Sequence, residues 1–135
     1  MKSTFNETIA TLGRVLLALI FIFAGIGKVM NYGQTALLMS AHGVAAALLP
    51  AVIALEVFGG LALALGFKTR LVASGLAIYS VAAIAIFLLP PANQQVVILI
   101  LAEVAMIGGL LSYVAAGGGR FSMDRILFGK VNRTP

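Results

Sequence analysis

Four long apolar runs dominate the chain, at about Thr11 to Met30, Leu48 to Gly66, Leu71 to Leu89 and Val96 to Ala116. Each approaches the roughly 20 residues that a helix needs to cross the hydrocarbon of a bilayer. The interruptions are turn or breaker chemistry: Asn31-Tyr32-Gly33, Gly66-Phe67-Lys68-Thr69-Arg70, Pro90-Pro91-Ala92-Asn93 and Gly117-Gly118-Gly119. The pattern predicts an all-α membrane protein, a four-helix transmembrane bundle forming one domain over residues 1–135. Gln34 to Ala47 is only moderately apolar and too short to cross, so it predicts a short interfacial helix before Pro50 opens the second span. After Gly119, the run from Arg120 to Phe128 sorts basic and apolar residues onto different faces, as in a helix lying on a membrane surface, and the last residues are expected to fray.

Composition agrees, with 61% hydrophobic and 10% charged residues and a mean hydropathy of +1.12. A soluble fold of this length has too little interior to hide that much apolar surface. The net charge of +5 does not point to nucleic acid, because the basic residues gather near the ends and in one short loop, where they meet lipid headgroups. Lys2, then Lys68 and Arg70, then Arg120, Arg125, Lys130 and Arg133 fall on one side of an even number of spans, which predicts both termini in the cytoplasm. The first run is too long for a signal core and lacks a cleavage pattern after Ile26-Gly27-Lys28, so it is expected to remain. The absence of cysteine excludes disulfides and thiolate chemistry.

Four ionisable residues fall inside the spans: Arg14 and Lys28 in the first, Glu56 in the second and Glu103 in the fourth. A charge near the bilayer centre costs roughly 2.5–3.5 kcal/mol on insertion scales, so such residues face the bundle interior. Helical spacing puts Arg14, Ala18, Phe21, Gly25 and Lys28 on one face, while Gly59 and Gly60 follow Glu56 on its own side and admit a neighbouring backbone. Counting helical rise from the span ends sets Glu56 and Glu103 at a common depth of about 12–14 Å, which suits convergence on one cavity. Two carboxylates at one depth do not both ionise without a cation each, and the one lacking a partner is expected to carry a proton. Structural ion pairing and a ligand or proton site are balanced readings of these residue types.

Among weaker candidates, His42 reads as an interfacial polar residue rather than a metal ligand. Tyr79 is deep enough to need a hydrogen-bond partner, and Tyr113 reads as a packing or belt aromatic. Gly108-Gly109 marks close helix packing, and no metal, flavin or haem motif occurs in the sequence.

Several segments, taken in order, resemble the DoxX family of small bacterial inner-membrane proteins. They are Gly13-Arg14 leading to Phe23-Ala24-Gly25-Ile26-Gly27-Lys28, Leu55-Glu56-Val57-Phe58-Gly59-Gly60 leading to Gly66-Phe67-Lys68-Thr69-Arg70, and Gly108-Gly109 leading to Ser122-Met123-Asp124-Arg125. The resemblance implies four inner-membrane helices, a polar set of Arg14, Lys28 and Glu56, and a membrane subunit near a quinone and a redox protein partner. The sequence departs from the family pattern in carrying Ala102-Glu103 where relatives often have Lys-Asn, and in lacking a proline soon after Gly43.

The leading expectation is therefore a subunit of a redox-linked, quinone-interacting complex, with Arg14, Lys28, Glu56, Glu103 and Tyr79 binding the ligand or carrying a proton. A protonated acid beside an apolar cleft suits a carbonyl-bearing lipid. The chain shows no complete catalytic motif, so electrons would come from a partner. The alternatives are a small proton-coupled transporter acting as a homodimer and a structural or assembly protein whose buried charges only hold helices in register.

Overall fold

The computed structural model describes residues 3–128. The helices run as α1 (Thr4–Met30), α2 (Tyr32–Ala41), α3 (Leu49–Leu65), α4 (Thr69–Ala83), α5 (Gln94–Ala116) and α6 (Met123–Phe128), with no strand among the described residues. A 3-10 turn, Ala46–Leu48, leads into α3, and a π-helical turn, Ile84–Leu88, prolongs α4. Four segments are long and apolar enough to cross a membrane: Thr4–Met30, Ala46–Leu65, Thr69–Leu88 and Gln94–Ala116. The fold is an all-α bundle of four such helices, and its apolar exterior, including Leu12, Phe23, Phe58, Ile78 and Leu101, is the lipid-facing surface.

Two boundaries differ from the sequence reading. Helix α1 begins at Thr4, well before Thr11, because Ser3 caps it by accepting from Asn6 N at 3.1 Å, and Thr8 and Thr11 bond back to Thr4 O and Glu7 O at 2.8 and 2.9 Å. Hydropathy misses this start because Thr4, Asn6, Glu7 and Thr8 dilute its apolar residues, although the backbone is helical. The connection between the first two spans is α2 followed by a turn at Gly43 with φ 78°, so the helix expected over 34–47 ends at Ala41. Lys2, Lys130 and Arg133, used for orientation, and the expected fraying end lie outside the described residues.

Helix α1 packs along α3, α4 packs along α5, and α3 joins the pairs through α4. Glycines set the first of these contacts. A Cβ on Gly25 would lie 2.5 Å from Val57 Cγ2, and one on Gly60 would lie 2.7 Å from Ile22 Cγ1 and 3.2 Å from Ala18 O. Small residues let backbones approach in lipid, where dispersion contacts replace the hydrophobic effect as the force between helices. The core along this seam and the next comprises Ala18, Phe21, Leu63, Ala73, Leu76, Ala77 and Leu110. Gly60→Leu is expected to lower stability by about 1–3 kcal/mol through overpacking. Gly27, which has nothing within 4 Å of its Cβ position, should accept leucine with little change, and thermal unfolding in detergent checks both.

Candidate functional site

The intramembrane charges sort to opposite ends of the bundle. At one end, the buried stripe of α1 (Arg14, Ala18, Phe21, Gly25) continues to Lys28, and α3 presents Glu56 on the face that also buries Leu49, Gly60 and Leu63. The close approach at Gly25 brings these faces together, so that Lys28 Nζ lies 2.7 Å from Glu56 Oε1 and 3.1 Å from Oε2. The hydroxyl of Tyr79, on α4, donates to the same Oε1. Glu56 is 1% exposed and the Lys28 side chain 28%, so the ammonium reaches in from the edge to a fully covered carboxylate. An ammonium has three N–H groups, and two contacts to one carboxylate leave at least one available to another acceptor.

Glu103 stands beside this set. It lies two helical turns along α5 from the buried Leu110, which places it on the bundle-facing side, half-buried. It is within electrostatic range of Glu56, Lys28 and Tyr79. Among the described residues it makes no hydrogen bond or ion pair. The sequence reading expected Glu56 and Glu103 to converge; the structure joins Lys28 and Tyr79 to Glu56 and gives Glu103 no direct bond to any of them among the described residues.

Arg14 is not part of this group, since fourteen residues of helix, about 21 Å, separate it from Lys28. At 1% exposure it is enclosed at the opposite end, where Nη1 donates to Gly118 O and Nη2 to Phe121 O at 2.9 Å and Ala64 O at 3.3 Å. Its partners are carbonyls, two of them from the segment that follows α5. That segment is tied down elsewhere too. Arg120 N donates to Glu7 Oε2 at 2.7 Å, and Asp124 N donates to Gly66 O at 2.9 Å. Asp124 in turn accepts from Lys68 N at 2.5 Å and Thr69 N at 2.8 Å. Lys68 has φ 46° and supplies no side-chain cap, so α4 receives its N-terminal cap from a distant carboxylate. Beside this strap a cavity of about 150 Å³ is lined by Asn6, Glu7, Ala10, Tyr113, Ala116 and Gly117–Gly119. Tyr113 meets its need for a partner by donating to Ala10 O at 2.6 Å.

His42 lies apart from both assemblies. Its Nδ1 is 2.8 Å from Leu38 O and its ring is 5.0 Å from that of Phe87. No cluster suited to a metal ion occurs among the described residues. Sequence reasoning missed Glu7 and Asp124, which act on backbone N–H groups far away in the chain, and Ser80, a fully buried hydroxyl next to Tyr79 without a hydrogen-bond partner. The available signal for Asp124 was its position as the lone acid in a basic tail.

The DoxX family model matches residues 9–89. The chain is 36% identical over 114 residues to "Inner membrane protein YqjF" of Escherichia coli (strain K12), an alignment that covers 84% of this chain and 88% of that protein. No solved structure matches.

Proposed function

The chain belongs to the DoxX family and is a multi-pass inner-membrane protein, and on that premise we propose that it binds a carbonyl-bearing membrane lipid, a quinone, as the membrane subunit of a redox-linked complex. The observation that carries this reading is the fully covered Glu56 carboxylate held by Lys28 and Tyr79 among apolar helices, with the half-buried Glu103 on α5. The donor chemistry fits a quinone carbonyl: Lys28 keeps an N–H beyond those aimed at Glu56 and is accessible from the bundle edge. The surrounding lipid-facing apolar surface suits a prenyl tail. When bound, a quinone would supply electron-accepting chemistry that the side chains of this sequence lack. Here Lys28 would orient the carbonyl, Glu56 and Tyr79 would fix Lys28, and Glu103 would hold a proton nearby. Arg14 would have a different task, fastening the segment after α5.

Purified protein should retain quinone on lipid extraction, and added quinone should raise its melting temperature. Lys28→Met should lose both responses, and so, in part, should Tyr79→Phe. Wild-type protein that neither retains quinone nor shifts with it would refute the ligand. The same polar group would then stand as a register-fixing ion pair, as the full engagement of the Glu56 oxygens by Lys28 and Tyr79 would suit.

The orientation proposed with this reading puts both termini in the cytoplasm, supported by the exposed Arg120 and Arg125 and the Lys68 loop at the Arg14 end. Because the chain has no cysteine, single substitutions report topology directly. Asn93→Cys should react with an impermeant thiol reagent applied to intact cells freed of outer-membrane shielding, whereas Arg125→Cys should react only after the membrane is opened. The reverse pattern would invert the assignment.

A further inference from the structure

Glu7 is a second buried carboxylate, 8% exposed, at the end of the bundle opposite Glu56. Only one of its oxygens is engaged: Oε2 accepts from Arg120 N at 2.7 Å, whereas Oε1 makes no hydrogen bond or ion pair among the described residues and is not sealed off. Arg14 does not balance this charge. It lies two turns along α1, about 10 Å away, and directs its terminal N–H groups to three carbonyls. A covered carboxylate without a cation is costly, so a positively charged partner is favoured here.

Glu7 lines the cavity of about 150 Å³ beside the strap, and apart from Asn6 the other walls are alanine, the Gly117–Gly119 backbone and the Tyr113 ring. Positive φ at Gly117 and Gly119, 80° and 86°, turns the strap around this space. Tyr113 gives its hydroxyl proton to Ala10 O, so what it offers the cavity is an aromatic wall and an oxygen acceptor, both suited to a cation. A single carboxylate among apolar walls supplies too few oxygens for a divalent metal ion, and suits an organic ammonium instead. Two arginines border the cavity without lining it. Arg70 Nε is 3.2 Å from the position that a Cβ on Gly117 would take, Arg120 follows Gly119, and both side chains are exposed. Glu7 lies in the first turn of α1 and Gly117 ends α5, which sets the cavity at the level where crossing helices meet lipid headgroups. Toward the bilayer interior the same two helices expose Leu12, Leu16 and Leu111.

We propose that this cavity is a headgroup site for an aminophospholipid, a lipid that carries a primary ammonium two carbons from its phosphate. The ammonium enters the cavity against Glu7, the phosphate stays at the rim with Arg70 and Arg120, and the acyl chains run along α1 and α5. Glu7 thus joins two tasks, holding the strap through Oε2 and the ammonium through Oε1. The site lies at the other end of the bundle from Lys28 and Glu56 and does not require that a quinone bind.

Native mass spectrometry of the intact protein, titrated in detergent with phosphatidylethanolamine or with phosphatidylglycerol of the same acyl chains, tests this. The wild type should bind the ethanolamine lipid about tenfold more tightly, as one charge-assisted hydrogen bond in a covered site implies. Glu7→Gln still offers an oxygen to Arg120 N, so it should keep the strap resistant to protease yet bind the two lipids equally. Should that variant fail to fold, Ala116→Leu, which fills the cavity and leaves Glu7 in place, should also erase the preference. Replacing Arg70 and Arg120 together by glutamine should weaken both lipids alike. Equal binding of the two lipids by the wild type, or a preference that survives in folded Glu7→Gln, would overturn the proposal. Phosphoethanolamine without acyl chains, bound as tightly as the lipid, would overturn the assignment to a membrane lipid. None of these outcomes bears on quinone binding, which Lys28→Met reports separately.

Discussion

Arg14→Leu is expected to release the segment after α5 and to produce one of the two largest losses of stability in the protein. The substitution strands the carbonyls of Gly118, Phe121 and Ala64, which receive N–H groups from one fully covered guanidinium. Hydrogen bonds to charged groups contribute about 1.5–3 kcal/mol each, and since the three share one donor group a combined loss of about 3–5 kcal/mol is expected. Arg14→Lys should recover little, because an ammonium on a shorter, non-planar head cannot reach three divergent carbonyls. Thermal unfolding in detergent measures the loss. Limited proteolysis after Arg120 or Arg125 should accelerate in parallel, since the strap then loses its Arg14 bonds and keeps the weaker ties through Glu7 and Asp124. An Arg14→Leu protein with wild-type melting and wild-type protease resistance would show that the strap is held by something else.

The second large effect belongs to Lys28. In Lys28→Met the Glu56 carboxylate, 1% exposed, keeps Tyr79 but loses its cation. Removing one partner of a buried pair costs about 3–5 kcal/mol when the other stays charged, and the upper part of that range is not expected here because the lysine reaches in from the bundle edge. Glu56→Gln should be milder than Lys28→Met, because the amide still accepts from Tyr79 and the lysine, being partly exposed, can turn to polar surroundings. The order of the two single variants in a thermal melt is therefore diagnostic. Equal losses would mean that neither charge is confined.

The four crossings were legible because apolar runs and their breakers carry most of the information about a membrane fold. That these faces lie at close helix contacts was legible as well, since Gly59-Gly60 after Glu56 and the stripe through Ala18 and Gly25 each specify a small-residue face, but which helix meets which was not. The start of α1 was not, because a helix can outlast its hydrophobic stretch when a cap and backbone-bonded threonines support it. Pairing was also hidden. Face and depth narrowed Glu56 to an interior position, but the choice of Lys28 over Arg14 depends on how far α1 slides along α3, which is fixed at Gly25 and Gly60 and only appears once both helices are placed. Arg14 read as an intramembrane charge in search of a carboxylate. Its actual partners are backbone carbonyls, two from a chain segment about a hundred residues later and one, Ala64 O, from α3, which no local pattern encodes. The same holds for Asp124, whose cap on α4 is formed entirely across the fold.

The account rests on Lys28 and Glu56 meeting inside the bundle rather than solvating separately at its surface. A double-mutant cycle with Lys28→Met, Glu56→Gln and the combined variant measures that meeting directly, in detergent or bicelles at neutral pH. The combined variant leaves no uncompensated charge at the pair and should be more stable than Lys28→Met alone, giving a coupling free energy of about 2–3 kcal/mol. Additive losses, with coupling indistinguishable from zero, would contradict the pair and with it the site built around it.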